Sequence, residues 1–151
     1  IYTLSLHDAL PIYQPKLLVD KVNAHGLLKT ARFISFDLNS IKRTKAYITK
    51  STGSSADIYT SYILSRDSLK RIQKTENVDF IKAVRDAKNN GITSVSINRN
   101  HVTDEIVNEV KQNALNLDLW TYNKSLKSKI FNDVKAYRPD TITTDEVCWD
   151  E

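Results

Sequence analysis

A single cysteine, Cys148, stands in the whole chain, so neither an intramolecular disulfide framework nor a multi-cysteine zinc site can be built from it. Glycine is almost as scarce. Gly26, Gly53 and Gly91 are far apart, which excludes a glycine-rich loop of the kind that cradles phosphates. No run approaches the roughly 18 consecutive apolar residues of a membrane span, and a hydrophobic content of 40% is too high for intrinsic disorder. What is there is 151 residues with 22 Lys or Arg against 18 Asp or Glu and a net charge of +4, the size of one soluble domain or part of one. The basic residues, among them Lys16, Lys42, Arg43, Lys70, Arg71 and Lys111, are mixed with acids along the helical stretches. A nucleic-acid binder would gather them on one face among exposed aromatics, so no nucleic-acid partner is expected.

The first twelve residues, Ile1–Ile12 (IYTLSLHDALPI), lack the basic start and long apolar core of a signal sequence. At every position the string resembles the translation of a widely used short-read sequencing adapter, and Tyr13 fits the adapter's next base. Residues 1–12 are therefore expected to be adapter-derived and are set aside, as an engineered scar would be. Asp8 is their only charge, so the remaining 139 residues carry +5, and His7 leaves the list of candidates. A coding region that opens on adapter was cut by the read. Residues 13–151 are thus expected to be the C-terminal part of a larger domain, with any export signal, and hence the compartment, lost upstream.

From Tyr13 onward, helical periodicity alternates with short β-branched or aromatic runs. Leu18, Val19 and Val22 share one face of a first helix that His25-Gly26 closes. Arg32–Phe36 reads as a strand, Asp37 as the N-cap of a helix carrying Ile41, Ala46 and Ile48, and Ser51–Ser55 as a polar loop. Ile58–Leu64 is a second strand; a long charged segment follows, with an apolar stripe of Phe80, Ile81, Val84 and Ala87 ahead of Gly91. Thr93–Ile97 is a third strand. Thr103 caps a helix with Asp104 and Glu105 in its first turn, where they complement the macrodipole, and with Ile106, Val107, Val110 and Ala114 as its buried face. Leu117–Tyr122, a helix with Ile130, Phe131 and Val134 on its apolar side, and the run Thr141–Thr144 complete the pattern.

Strand starts 24 to 35 residues apart suit βα units, whose crossovers require a parallel sheet covered by helices. An open doubly wound sheet and a closed eight-stranded barrel both satisfy this spacing. A closed barrel takes about 250 residues, so five units in 139 residues make somewhat more than half of one, and the adapter junction favours a partial barrel.

In such a barrel the active site lies at the C-terminal ends of the strands. The residues there are Phe36-Asp37, Ser65-Arg66-Asp67, Asn98-Arg99-Asn100-His101, Trp120-Thr121-Tyr122-Asn123 and Thr144-Asp145-Glu146. An aspartate between strand and helix, such as Asp37, is most often a cap. His101 has the chemistry of an acid or base without a partner carboxylate in evidence. Arg66 and Arg99 occupy positions suited to a phosphate, although loop arginines are more often solvated. Asp145 and Glu146 are adjacent on a strand and point to opposite faces, which argues against one shared cation. Trp120 is placed equally well as pocket wall or as core. No complete catalytic constellation emerges from the residues themselves.

The order of segments resembles the C-terminal part of the glycerophosphodiester phosphodiesterase family. The match rests on Ile34-Ser35-Phe36-Asp37 after a helix ending in His25-Gly26-Leu27, on Tyr62-Ile63-Leu64, on Trp120-Thr121-Tyr122-Asn123, and on Ile142-Thr143-Thr144-Asp145. The resemblance implies a partial TIM (β/α)8 barrel made of about its last five strands. It implies a parent enzyme that uses calcium or magnesium to hydrolyse glycerophosphodiesters, small-molecule substrates, to glycerol 3-phosphate and an alcohol. Family members bring their histidine pair and metal-binding carboxylates from the first part of the barrel, in motifs like HRG, ExD, HD and EIK, and none of these occurs in residues 13–151. The chain is accordingly expected to hold no catalytic residue and no metal ligand, and to be inactive alone. By the same resemblance Phe36 and Trp120 form the apolar side of the substrate pocket. Many relatives place a proline soon after the Thr-Asp pair, whereas Val147-Cys148-Trp149 follow here. The alternatives are a catalytically dead barrel and a non-catalytic α/β ligand-binding domain. A cut barrel also exposes two unpaired sheet edges, through which self-association is expected.

Overall fold

A computed structural model of the chain describes residues 2–5, 15–55, 57–122 and 127–144. Along the chain these residues form β1 (Tyr2–Ser5), α1 (Pro15–Ala24), β2 (Ala31–Ser35), α2 (Leu38–Thr52), β3 (Tyr59–Leu64), α3 (Arg66–Gln73) and α4 (Phe80–Asn89). They continue with β4 (Ser94–Asn98), a 3-10 turn (Arg99–His101), α5 (Asp104–Gln112), β5 (Asn116–Tyr122), α6 (Lys127–Tyr137) and β6 (Thr141–Thr144). The five strands expected from Tyr13 onward are β2 to β6. Tyr2–Ser5, within the segment set aside on sequence grounds, pair in parallel with Ala31–Ile34 at the edge of the sheet. Tyr and Thr are good strand formers whatever their origin.

The order of the strands separates the two architectures that periodicity leaves open. The sheet runs β1-β2-β3-β4-β5-β6 with every pairing parallel. A doubly wound sheet reverses direction at a switch point, whereas a barrel wall adds each strand beside the last. The sheet is also curved, because Arg32 of β2 donates to the Thr141 hydroxyl of β6 at 3.2 Å although three strands lie between them. This is the wall of a half-barrel.

The two faces of that wall differ in chemistry. Tyr62, Leu64, Val95, Ile97, Leu117 and Leu119 pack outward against Leu69, Val84, Ala87, Ile106, Val107 and Val110 of α3, α4 and α5. A second cluster sets Ala31 and Phe33 of β2 against Val19 and Val22 of α1 and Ile48 of α2. Each fully buried aliphatic side chain here contributes about 1.5–3 kcal/mol relative to exposure. The opposite face carries Arg32, Ser61, Ser94 and Asp118, set one residue off the outward-facing set as strand alternation requires.

Several local expectations need correction. Helix α2 runs through Ser51 and Thr52 and closes on Gly53 at φ 82°, so the polar loop begins later than Ser51. Its buried face is Ile41, Thr44 and Ile48, with Ala46 exposed; the Thr44 hydroxyl is satisfied by the Ser40 carbonyl at 2.9 Å. The charged segment after Leu64 divides into α3 and α4, and α3 ends on Lys74 in the left-handed conformation at φ 54°. Ala114 is exposed at φ 52°, beyond the end of α5. On α6, Phe131 and Val134 are 69% and 40% exposed, so they do not form a buried face. That helix lies at the end of the described wall, beside the last strand.

Candidate functional site

The C-terminal ends of β2 to β6 converge on one rim, and two aromatic rings meet there. Phe36, one residue beyond β2, and Trp120 of β5 stand edge to face with centroids 6.1 Å apart and planes at 87°. The contact spans strands that are not neighbours, which places both rings inside the curve of the wall. Trp120 follows the strand alternation that also turns Asp118 inward and Leu119 outward. Pairing of β5 with β6 runs Leu119 with Ile142 and then Tyr122 with Thr144, so β5 has one residue more than its partner across this interval. Such a bulge resets the alternation. Tyr122, two residues after the inward-facing Trp120, therefore packs with the outward core. The Trp120–Thr121 peptide is cis. The indole Nε1 is buried and without a partner.

The other rim candidates are occupied structurally. Asp37 accepts from the Asn39 and Ser40 amides at 3.0 and 3.1 Å and from the Ser40 hydroxyl at 2.6 Å, which makes it the cap of α2. Ser65 caps α3 through the Ser68 amide at 3.1 Å, and Arg66 and Asp67 are exposed in its first turn. Arg99 turns outward to α6. Its Nε lies 3.3 Å from Asp133 Oδ2, its guanidinium stands 5.3 Å from the centre of the Tyr122 ring, and the Tyr122 hydroxyl donates to the same Asp133 oxygen at 2.8 Å. Burial, followed by the bond to Asp133, pushes the Tyr122 phenol well above its ordinary range. His101 packs its ring 5.6 Å from that of Phe80 on α4. Asn123, Asp145, Glu146, Val147, Cys148 and Trp149 lie outside the described residues. A cleft of about 390 Å³ beside Phe36 is lined by Ser35, Asp37, Ser40, Ser68, Arg71 and Ile72.

At the opposite end of the strands lies a polar cluster that local sequence patterns do not announce. Asp118, only 5% exposed, accepts at one oxygen, Oδ2, from the hydroxyls of Tyr59 at 2.6 Å, Ser94 at 2.8 Å and Ser61 at 3.3 Å. Arg32 stacks 4.5 Å from the Tyr59 ring centre. Burial and the neighbouring Asp118 carboxylate raise the Tyr59 phenol strongly. The only hint in the sequence is the recurrence of small polar residues at alternate strand positions, Ser94 and Ser96.

Metal chemistry finds no support in these side chains. Among the described residues no three His, Cys, Asp or Glu side chains converge as a metal site requires. Asp37 is committed to a helix cap, Asp133 to Arg99 and Asp118 to three hydroxyls. The described residues do not fit a calcium or magnesium site, and no reaction step runs through such an ion here. No described helix is long and apolar enough to cross a membrane.

The half-barrel matches solved structures over most of its length. A glycerophosphodiester phosphodiesterase from Parabacteroides distasonis superposes with a TM-score of 0.62 at 18% identity, over 95% of this chain and 52% of that one. A protein of Silicibacter pomeroyi, provisionally described as a glycerophosphoryl diester phosphodiesterase, gives 0.65 at 18% identity over 87% and 39%. A glycerophosphodiester phosphodiesterase from Agrobacterium tumefaciens gives 0.60 at 10% identity over 95% and 52%. The chain shares their fold. It spans about two fifths to one half of their length. No family model matches it, and neither does any curated protein.

Proposed function

We propose that residues 13–151 are the C-terminal-side part of a metal-dependent glycerophosphodiester phosphodiesterase, and that their share of the site is its apolar wall. The observation that carries this reading is the Phe36–Trp120 pair. Two rings 6.1 Å apart and nearly perpendicular on the inner rim give an angled apolar wall, suited to the carbon skeleton of a substrate, on the side of the pocket that the resemblance implies. The histidines that move protons and the carboxylates that hold calcium or magnesium belong, on this reading, to strands upstream of β2. Residues 1–12 are adapter-derived, and Tyr2–Ser5 take the sheet edge where the parent's own strand pairs. The chain alone does not hydrolyse substrate, and its open edges favour self-association, which light scattering detects.

The test is to recover the codons upstream of Tyr13, express the complete parent, and compare it with this chain on glycerophosphocholine with calcium or magnesium. The parent is expected to release glycerol 3-phosphate and the chain to be silent. Turnover by the chain alone, or an upstream sequence without HRG and ExD motifs, would defeat the proposal.

A further inference from the structure

The fold sorts the basic residues by helix. Residues 37–52, which hold α2 and its cap, contain four Lys or Arg and one acid, and residues 65–74, which hold α3 and both its caps, contain four and one. Together they carry +6 in a chain whose total is +4, so everything else is net acidic. Lys42, Lys50, Arg66, Arg71 and Lys74 are exposed and enter no ion pair among the described residues. On α4, by contrast, Lys82 is paired with Asp86 and Arg85 with Glu109. Of the two acids, Asp37 is bound up in the cap of α2, which leaves Asp67.

The two helices meet at the cleft beside Phe36, where Ser40 of α2 faces Ser68, Arg71 and Ile72 of α3. Ile72 is 51% exposed, the only large apolar side chain on either helix left so open. An aliphatic group among unpaired cations is the pattern of a surface that lies on a membrane: the cations draw it to lipid phosphates, and the apolar side chain enters the interface. Nucleic acid asks for something else, since its bases stack on exposed aromatic rings. Neither helix offers one. Tyr47, the aromatic residue of α2, is half-buried and donates its hydroxyl to Asp20 on α1 at 2.8 Å.

We propose that the α2–α3 face docks on an anionic phospholipid bilayer, with Ile72 seated in the headgroup layer and the free cations of the two helices against lipid phosphates. Charge and the aliphatic character of the one exposed apolar residue choose this occupant. The cleft borders Phe36, so a docked chain carries its aromatic rim beside the lipid. The inference rests on the outer surface of the chain and is independent of the phosphodiesterase reading.

The test floats the full chain with vesicles of phosphatidylcholine alone or mixed with phosphatidylglycerol, with no activity readout. Binding is expected to the mixed vesicles only, and to be lost at about 1 M salt, where the screening length falls to about 3 Å. Each basic residue near such a surface contributes about fivefold in affinity, so Arg66→Ala with Arg71→Ala is expected to bind about twenty-fivefold more weakly. Ile72→Ser is expected to lose about fivefold. All these positions are exposed, and circular dichroism and the melting temperature should stay unchanged. Lys111→Ala with Lys135→Ala removes two exposed cations elsewhere and should leave binding intact. Equal binding to phosphatidylcholine alone, or none to the mixed vesicles, would overturn the proposal. An equal loss in the Lys111 and Lys135 variant would show that net charge acts and not this face. Polyuridylate binding as tightly as the mixed vesicles, and weakened by the same arginine variants, would replace the bilayer by nucleic acid.

Discussion

Arg99 and Asp133 form an ion pair at 3.3 Å with side chains only 8% and 14% exposed, joining the loop after β4 to α6. Because Tyr122 donates to the same carboxylate, removing Asp133 strands both a buried guanidinium and a buried phenol. Breaking one side of a buried pair costs about 3–5 kcal/mol. Asp133→Ala is expected to lose about 3 kcal/mol in urea unfolding. A loss below about 1 kcal/mol would mean that water reaches the pair and that it behaves as a surface contact.

Asp37 lies beside the aromatic pair, yet its carboxylate is taken up by the first turn of α2. Replacing a cap of this kind by alanine costs about 0.5–2 kcal/mol. Asp37→Ala should therefore lower the melting temperature, and Asp37→Asn, which can still accept from the Ser40 amide, should restore most of it. In the completed parent both variants should retain turnover once folded. A drop of several orders of magnitude in the asparagine variant would instead make Asp37 part of the chemistry.

The edge-to-face contact of Phe36 with Trp120 predicts a spectroscopic result. Aromatic pairs of this geometry contribute about 0.5–1.5 kcal/mol beyond area burial. Phe36→Ala opens the interior side of the indole to water and should shift its emission to longer wavelength, with Trp149 replaced by Phe so that one indole reports. On the proposal that Phe36 lines the substrate pocket, the same variant in the parent should raise KM more than it lowers kcat, since an apolar wall binds substrate and transition state alike. An unshifted emission would show that the two rings do not pack together in solution.

Features with a local cause were legible in the sequence, and features made by distant side chains were not. Apolar spacing located β2 to β6, and Asp37 and Thr103 announced their helices because a cap acts within three residues of itself. The end of α3 escaped notice because Lys74 closes it in a left-handed conformation that sequence rules assign to glycine or asparagine. Arg99 read as a loop arginine because Asp133, its partner, is 34 residues away. The bulge that turns Tyr122 outward arises from mismatched pairing of β5 with β6, which neither strand shows alone. Phe131 and Val134 satisfied a helical stripe, but what covers a stripe is a property of neighbouring elements.

Alkaline pH offers a last test of the interior. Burial, aided by the Asp86 and Asp37 carboxylates, raises the Tyr62 phenol from 10.0 to about 12. Tyr59 and Tyr122 shift in the same direction, each through burial first and then a neighbouring carboxylate, Asp118 or Asp133. A phenol raised in the folded state keeps its proton where the unfolded chain has lost it. The unfolded state then binds fewer protons, and stability falls with rising pH. The contribution from Tyr62 is intact below pH 10.0 and is lost as pH climbs through about 12. Urea unfolding across this window should show a steady loss of stability, with the tyrosinate absorbance of Tyr59, Tyr62 and Tyr122 appearing together with unfolding and not before it. Tyr62→Phe should flatten the slope. Ionisation of all seven tyrosines near the ordinary phenol value, in a chain still folded, would show that these hydroxyls are not buried as described.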